Sequence, residues 1–404
     1  MQNNEKPLPF STDHPFNPFD PATYANMHER LAYLREYEPV YWLPELQVWC
    51  VSRFDDAAYV FSDPAFIKRG WTRLVENAFG GDSLISDFLF FKDPPDQTRL
   101  RSLVNKAFVH RVVEQLRARA EQVCATLLAE ARERGRCDVV GDYAWRIPLA
   151  VLSPLFDLPA HDHRLLEEWG RTIFLAADGS RPDQLTAGKA ALKDIYAYFA
   201  NLIEEHRRYP TGVFIDDLIA VEEQGDSLTL TELVVMAIQL VIGGYDTTAN
   251  QIASGIYYLL TYRENWELLC ADLSLLEQAV EEIIRYEPAT PFLGREAGKN
   301  ITLHGRVIHE GELIGPLVAA ANRDPRKFEE PDRFDITRAR RPHLSFGRGI
   351  HTCLGAPLAR LDTAVALRVI TQTFPSLELE QTAVTWRPSF LFRGLESLPV
   401  VFPA

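Results

Sequence analysis

Cysteine is scarce: five in 404 residues, an odd number at irregular positions (Cys50, Cys124, Cys137, Cys270 and Cys353). That excludes a disulfide scaffold and fits a reducing compartment, with most of these thiols serving as small hydrophobes. Long apolar runs are also missing. The opening residues, MQNNEKPLPFSTDHPFNPFDP, hold no hydrophobic segment, so neither signal peptide nor membrane anchor is expected. The most apolar uncharged stretch, LVVMAIQLVIGGY, has thirteen residues, too few to span a bilayer. Positive charge is in deficit: 42 Lys and Arg face 56 Asp and Glu, a net charge of −14, which argues against a nucleic-acid partner. No internal repeat or low-complexity linker interrupts the chain. These absences leave a soluble, cytoplasmic protein with no membrane partner.

What is present is a 47% hydrophobic composition, ample for a large core. Helical spacing of apolar residues dominates from about Pro95 to about Arg285. RVVEQLRARAEQVCATLLAEARERG and ALKDIYAYFANLIEEHRRYP each carry it and end on a Gly or Pro stop. Short strand-like pieces lie in PVYWLPELQVWCVS, NITLHGRVIHEGELI and SLPVVF. The pattern predicts one mainly helical domain, residues 1–404, with small accessory sheets. Its most unusual helix begins at the capping-box sequence TLTE (Thr229 to Glu232) and continues to about Thr261. At 1.5 Å per residue it is ~45 Å long and crosses the molecule.

Four short segments have compositions that ordinary helices and turns do not need. GGYDTT (Gly243 to Thr248) puts two glycines inside the long helix, at about 1 kcal/mol each relative to alanine. It reads either as a packing notch or as a locally opened helix with room for a small ligand. In the second case Asp246 and Thr247 place a carboxylate and an alcohol in line for proton transfer. In EEIIR, Glu282 and Arg285 share one helix face; the apolar flanks suggest a buried structural pair. DPPDQTRLRSLVNKAF sets Arg99 and Arg101 near a helix start, where cations do not complement the dipole, so an anionic partner is inferred. Finally, FGRGIHTCLG (Phe346 to Gly355) sets Cys353 among three glycines and two basic residues, just ahead of a helical pattern. A thiolate ligates iron, and a helix N-terminus favours it over the thiol.

This last segment fits the cysteine-loop pattern F-G-x-G-x-H-x-C-x-G at every fixed position, and the chain thereby resembles the cytochromes P450. DPPDQTRLR, GGYDTT, EIIR, AANRDP and FEEPDRFD resemble further segments of that family, in its order. The resemblance implies the P450 fold and a haem-thiolate monooxygenase carrying heme b (iron protoporphyrin IX), with Cys353 as the axial iron ligand. The cofactor-binding set it implies is Gln97, Arg101, Gly243, Gly244, Arg295, Phe346, Gly347, Gly349, His351, Cys353 and Gly355, with His351, Arg101 and Arg295 on the propionates. Gln97 stands where many bacterial members have histidine. Asp246 and Thr247 would be catalytic, delivering protons to the distal oxygen. Glu282, Arg285 and Arg333 would form a buried ion network.

The resemblance also implies electrons from NAD(P)H through a separate ferredoxin or flavodoxin. Two local basic segments map to the cysteine side: six Lys or Arg against one acid between Gln97 and Ala120, and four arginines between Arg338 and Arg348. An apolar terpenoid, polyketide or fatty-acyl substrate is expected. By family position FGGDSLISDFLFF, Pro291, Phe292, Leu293, Leu391 and Phe392 should line its pocket. A peroxide-driven peroxygenase or haem isomerase is the alternative on the same fold. The intact Asp246–Thr247 pair favours reductive use of O₂.

Overall fold

The computed structural model describes residues 10–79, 81, 84–107, 110–177, 182–223 and 228–402. Helices build most of it. The two periodic segments form His110–Arg134 and Leu185–Arg208, the first stopped at Gly135, whose φ of 68° suits glycine.

The long helix runs from Leu230 to Thr261, 32 residues. Both bonds of its capping box are made: Thr229 Oγ1 accepts from Glu232 N at 3.2 Å, and Glu232 accepts from Thr229 N at 2.9 Å. Among the described residues this is the one helix long and apolar enough to cross a membrane by length and composition. It is the core helix here, covered by Ile147–Leu152, His163–Ala177, Leu185–Arg208, Leu276–Tyr286 and Ala356–Thr373. Gly255 makes room at one of these crossings. A Cβ there would sit 2.9 Å from Ile283, so the missing side chain is what lets Leu276–Tyr286 approach.

The sheets are small and lie in three places. In the largest, Val40–Leu43 pairs antiparallel with Val48–Val51, which runs parallel to Leu313–Pro316. Arg295–Ala297 and then Phe66–Ile67 extend it antiparallel. Register sets Arg295 opposite Ile314 and Ile67 opposite Glu296. Lys68 therefore leaves the sheet edge close to Gly294 and Arg295. A hairpin joins Ile301–Leu303 to Arg306–Ile308 through His304 and Gly305, both at positive φ. Pro399–Val401 pairs with Cys137–Asp138 and Glu378–Leu379.

The Glu282–Arg285 pair is buried, each residue 3% exposed or less, with Arg285 Nε donating to Glu282 Oε2 at 2.7 Å. Its third member is not the expected one. Arg333 is exposed and lies against Glu330 and Asp335 at the surface. Arg338 takes its place, donating Nε to Glu282 Oε1 at 3.2 Å. The turn at Asp335 explains the exchange: Asp335 N also donates to Glu282 Oε1, at 3.1 Å, and brings the chain beyond it inward.

Candidate active site

The cysteine loop is shaped by glycine and tied down by two side chains. Gly347 and Gly349 have φ of 67° and 76°, and a Cβ on Gly349 would meet the Phe61 carbonyl at 2.8 Å. Cys353 N donates to the Phe346 carbonyl at 2.9 Å, closing the loop. Gln97 Nε2 donates to the Ile350 carbonyl at 2.7 Å, and Arg101 Nη1 to the Thr352 carbonyl at 2.8 Å. Helix Asp96–Ala107 thus holds the loop from one side. Helix Ala356–Thr373, capped by Gly355 with Pro357 in its first turn, carries it on the other.

Cys353 is reached by solvent but ringed by protein. Desolvation pushes its thiol up, while the backbone N–H groups of Gly355 and Ala356 and the charges of Arg101 and Arg360 pull toward thiolate. The Phe346 ring lies 4.5 Å beneath the Arg360 guanidinium. A Cβ on Gly355 would meet nothing within 4 Å, so open space adjoins the loop there.

Cations collect next to this space without matching acids. Arg295 is 2% exposed and Lys68 0% exposed. Their donors meet at one backbone oxygen, the Gly294 carbonyl, at 2.9 Å from Arg295 Nη1 and 3.3 Å from Lys68 Nζ. His351 is depressed to about 2, by burial first and then by Lys68, Arg295 and Arg101. Burial also lowers Arg295, to about 10, and drives Lys68 well below its usual value. The neighbouring acid, Asp93, already accepts from the backbone N–H groups of Lys68 and Arg69. Buried positive charge with so little compensation calls for an anionic group of more than one charge. Two carboxylates on a flat cofactor lying against the glycine loop satisfy that demand. The residues present therefore fit haem.

The long helix runs unbroken through GGYDTT, so of the two readings the break in the helix does not occur. The two glycines divide the readings between them. Gly244 is a notch, 3.1 Å from Leu152 Cδ1 at its would-be Cβ, whereas a Cβ on Gly243 would enter open space. Thr247 Oγ1 donates to the Gly243 carbonyl at 2.9 Å. Asp246 is 2% exposed, accepts from Asn250 Nδ2 at 3.0 Å and lies 3.4 Å from Arg387 Nη1. Each of the two catalytic candidates thus has its own partner instead of bonding the other.

The cytochrome P450 family model matches residues 180–390. The chain belongs to the cytochrome P450 family. A cytochrome P450 of Priestia megaterium is 34% identical over 400 residues, 93% of this chain and 97% of its own. The polyketide biosynthesis cytochrome P450 PksS of Bacillus subtilis is 34% identical over 406 residues, 95% of this chain and 98% of its own. Among solved structures, P450BioI in complex with hexadec-9Z-enoic acid ligated acyl carrier protein superposes at a TM-score of 0.87. It is 32% identical and covers 95% of this chain and 99% of that one. The P450 fold and a haem-dependent monooxygenase activity follow from this membership.

Seen as a P450, several expected residues change part. Phe292 does not line a pocket: it is fully buried between Trp71 and Phe390 and fills the space left by Gly315. Pro291 is buried as well, whereas Leu293, Leu391 and Phe392 stay partly exposed. Gly80, Asp82 and Ser83 of the expected lining lie outside the described residues. The carboxylate partner of Arg99 is Glu232 on the long helix, so Arg99 joins the two helices instead of facing a cofactor. Sequence reasoning passed over Lys68, Arg387 and Asn250, and read Arg338 only as part of a basic surface segment; only the fold brings each to its partner.

Proposed function

We propose that this P450 oxygenates an apolar small molecule of the polyketide or fatty-acyl kind, with electrons from NAD(P)H delivered by a separate ferredoxin or flavodoxin. The observation that carries the substrate class is the chemistry of the partly exposed side chains expected over the distal face. These are Phe90, Phe91, Leu293, Leu391 and Phe392, with Phe392 against Phe174 at 4.5 Å. Such a wall orients a substrate by shape and excludes water. Bound haem supplies the iron at which dioxygen is activated. Cys353 would hold that iron, and Arg101, Arg295 and His351 would hold the propionates. Asp246 and Thr247 would carry protons toward the distal face, Thr247 from beside Gly243 and Asp246 from its place between Asn250 and Arg387.

The donor protein would dock on the cysteine side. Arg117, Arg119, Arg341 and Arg348 are exposed, and the helix carrying the first two packs against the helix after Cys353. Arg338 is withdrawn from this surface into the Glu282 network, and the side chains of Lys106 and Arg111 lie outside the described residues. An acidic partner suits the remaining cations.

A ligand screen of the purified enzyme, read as Soret shifts, tests the substrate class. Macrolide-like polyketides and long-chain acyl compounds should displace the resting spectrum, and small polar compounds should not. A reversed ranking would sink this reading. Reduction by an acidic ferredoxin should slow as salt is raised; salt-independent reduction would remove the docking half.

A further inference from the structure

We propose that Lys68 is a cofactor-holding residue, its ammonium donating to a haem propionate on the side it shares with Arg295 and His351. An ammonium has three donors and must satisfy them when buried. Lys68 is 0% exposed, and its ammonium meets a neutral carbonyl, Gly294 O at 3.3 Å, and a ring face, Phe90 at 3.6 Å from Nζ. Neither carries the negative charge that a buried ammonium requires. Asp93 acts on Lys68 and Arg295 through its charge, but its two oxygens already accept from Lys68 N at 2.9 and 3.0 Å and from Arg69 N at 3.2 Å.

The fold positions Lys68 for this task. Ile67 pairs with Glu296 at the edge of the large sheet, so the next residue emerges beside the Gly294 carbonyl that Arg295 also uses. Lys68 Nζ and Arg295 Nη1 thus converge on one carbonyl oxygen, at 3.3 and 2.9 Å. Two of the expected contributors are committed elsewhere: Gln97 donates to Ile350 O, and Arg101 spends one N–H on Thr352 O. A propionate bound between Lys68 and Arg295 would separate two buried like charges and give each a charge-assisted bond. The Phe90 ring then covers the ammonium from the other side. Lys68 has no counterpart in the residues that the family resemblance supplied, and the proposal rests on the haem cofactor that the family membership gives.

The test uses the holoenzyme carrying native haem or haem dimethyl ester, whose propionates are esterified and uncharged. Haem loss to excess apomyoglobin is followed for wild type, Lys68→Met and Lys68→Arg. Lys68→Met should lose native haem about tenfold faster than wild type, with Lys68→Arg in between. The dimethyl ester should leave wild type and Lys68→Met at the same rate. Equal acceleration with both cofactors would make Lys68 a packing residue and overturn the proposal, as would no acceleration with native haem. A crystal structure of the wild-type holoenzyme decides the matter even if Lys68→Met does not fold. Nζ within about 3.2 Å of a propionate oxygen supports the assignment, and Nζ more than about 4 Å from both propionates refutes it. Should the wild-type chain take up no haem at all, the cofactor reading falls and the proposal with it; haem uptake with Lys68 turned elsewhere removes the proposal alone.

Discussion

Arg338 Nε lies 3.2 Å from Glu282 Oε1 and completes the buried pair that Glu282 makes with Arg285. Arg285 in turn reaches the Asn322 and Pro331 carbonyls at 2.9 and 3.0 Å, so one carboxylate fixes a helix and the irregular segment after it. Removing one partner of such a network costs about 3 kcal/mol or more, because the remaining charge stays buried. Arg338→Ala should be destabilised by about that much. Arg333→Ala, at a side chain 65% exposed, should stay within about 0.5 kcal/mol of wild type. Urea unfolding of the two variants checks this, and equal losses would return Arg333 to the network.

A second buried carboxylate gives a pH signature. Glu287 has no exposed side-chain surface; it receives His28 Nε2 at 2.9 Å, the Tyr258 hydroxyl, and Arg393 Nε at 3.4 Å. Burial alone would raise its carboxyl, but His28, Arg393 and Arg323 outweigh burial and hold it far below the usual carboxylate range. The unfolded chain then binds a proton that the folded one does not. The stabilisation is full above about pH 4.5 and is lost as pH falls below it. Glu287→Gln should be less stable than wild type at pH 7, by about 3 kcal/mol or more, and the gap should narrow from about pH 4.5 downward. Unfolding curves at pH 7 and pH 3.5 read the gap directly; an unchanged gap would mean that Glu287 is not ionised in the fold.

Legibility from sequence followed the length of the signal. The long helix was readable because its capping box and apolar pattern extend over 32 residues. The hairpin Val40–Leu43 with Val48–Val51 was readable because VYWL and VWCV are short runs of β-branched and aromatic residues. Phe66–Ile67 and Cys137–Asp138 are two residues each, too short for any period, and exist because longer neighbours offer an edge. Cys353 and the glycines around it were legible because one loop concentrates them. Lys68 was not. Its role depends on the sheet register that sets Ile67 opposite Glu296, 229 positions away, and FIKRGW carries no local trace of that. Arg333 and Arg338 show a subtler limit: both sit in one arginine-rich stretch, and only the turn at Asp335 decides which faces inward. Phe292 was misread because an apolar residue after the Glu282–Arg285 helix has the same composition whether it lines a pocket or fills the core.

Two glycines of the cysteine loop, Gly349 and Gly355, should respond differently to a methyl group. Gly349 has a φ of 76° and no room, with Phe61 O at 2.8 Å from a Cβ. Gly349→Ala should therefore cost the fold about 1–3 kcal/mol. Gly355 has a φ of −79° and nothing within 4 Å. Its added methyl strains no protein contact and intrudes only where haem is expected. Gly355→Ala should keep wild-type stability within about 0.5 kcal/mol while lowering haem content. Thermal unfolding together with the ratio of Soret to protein absorbance separates the two effects. A Gly355→Ala variant with full haem occupancy would remove the close-approach role of that glycine.

Asp246 and Thr247 are adjacent in the chain yet differently held, and that difference predicts different failures. Asp246 is buried against Asn250 and Arg387, whereas Thr247 is partly open and bonded to the carbonyl of Gly243, beside open space. A carboxylate in a buried ion pair is suited to passing protons from within the protein, and an alcohol at the open side to placing them. Asp246→Asn keeps the shape but removes the acid, so substrate-dependent turnover should slow about 100-fold, with a larger solvent deuterium isotope effect. Thr247→Ala leaves the acid in place. Its oxygen consumption should continue while product per O₂ falls, because protons arrive without being directed. Parallel measurement of O₂ uptake, peroxide release and product distinguishes the two. Full coupling in Thr247→Ala and wild-type turnover in Asp246→Asn would remove the relay. Equal turnover of all three proteins with hydrogen peroxide and no reductant would favour the peroxygenase alternative.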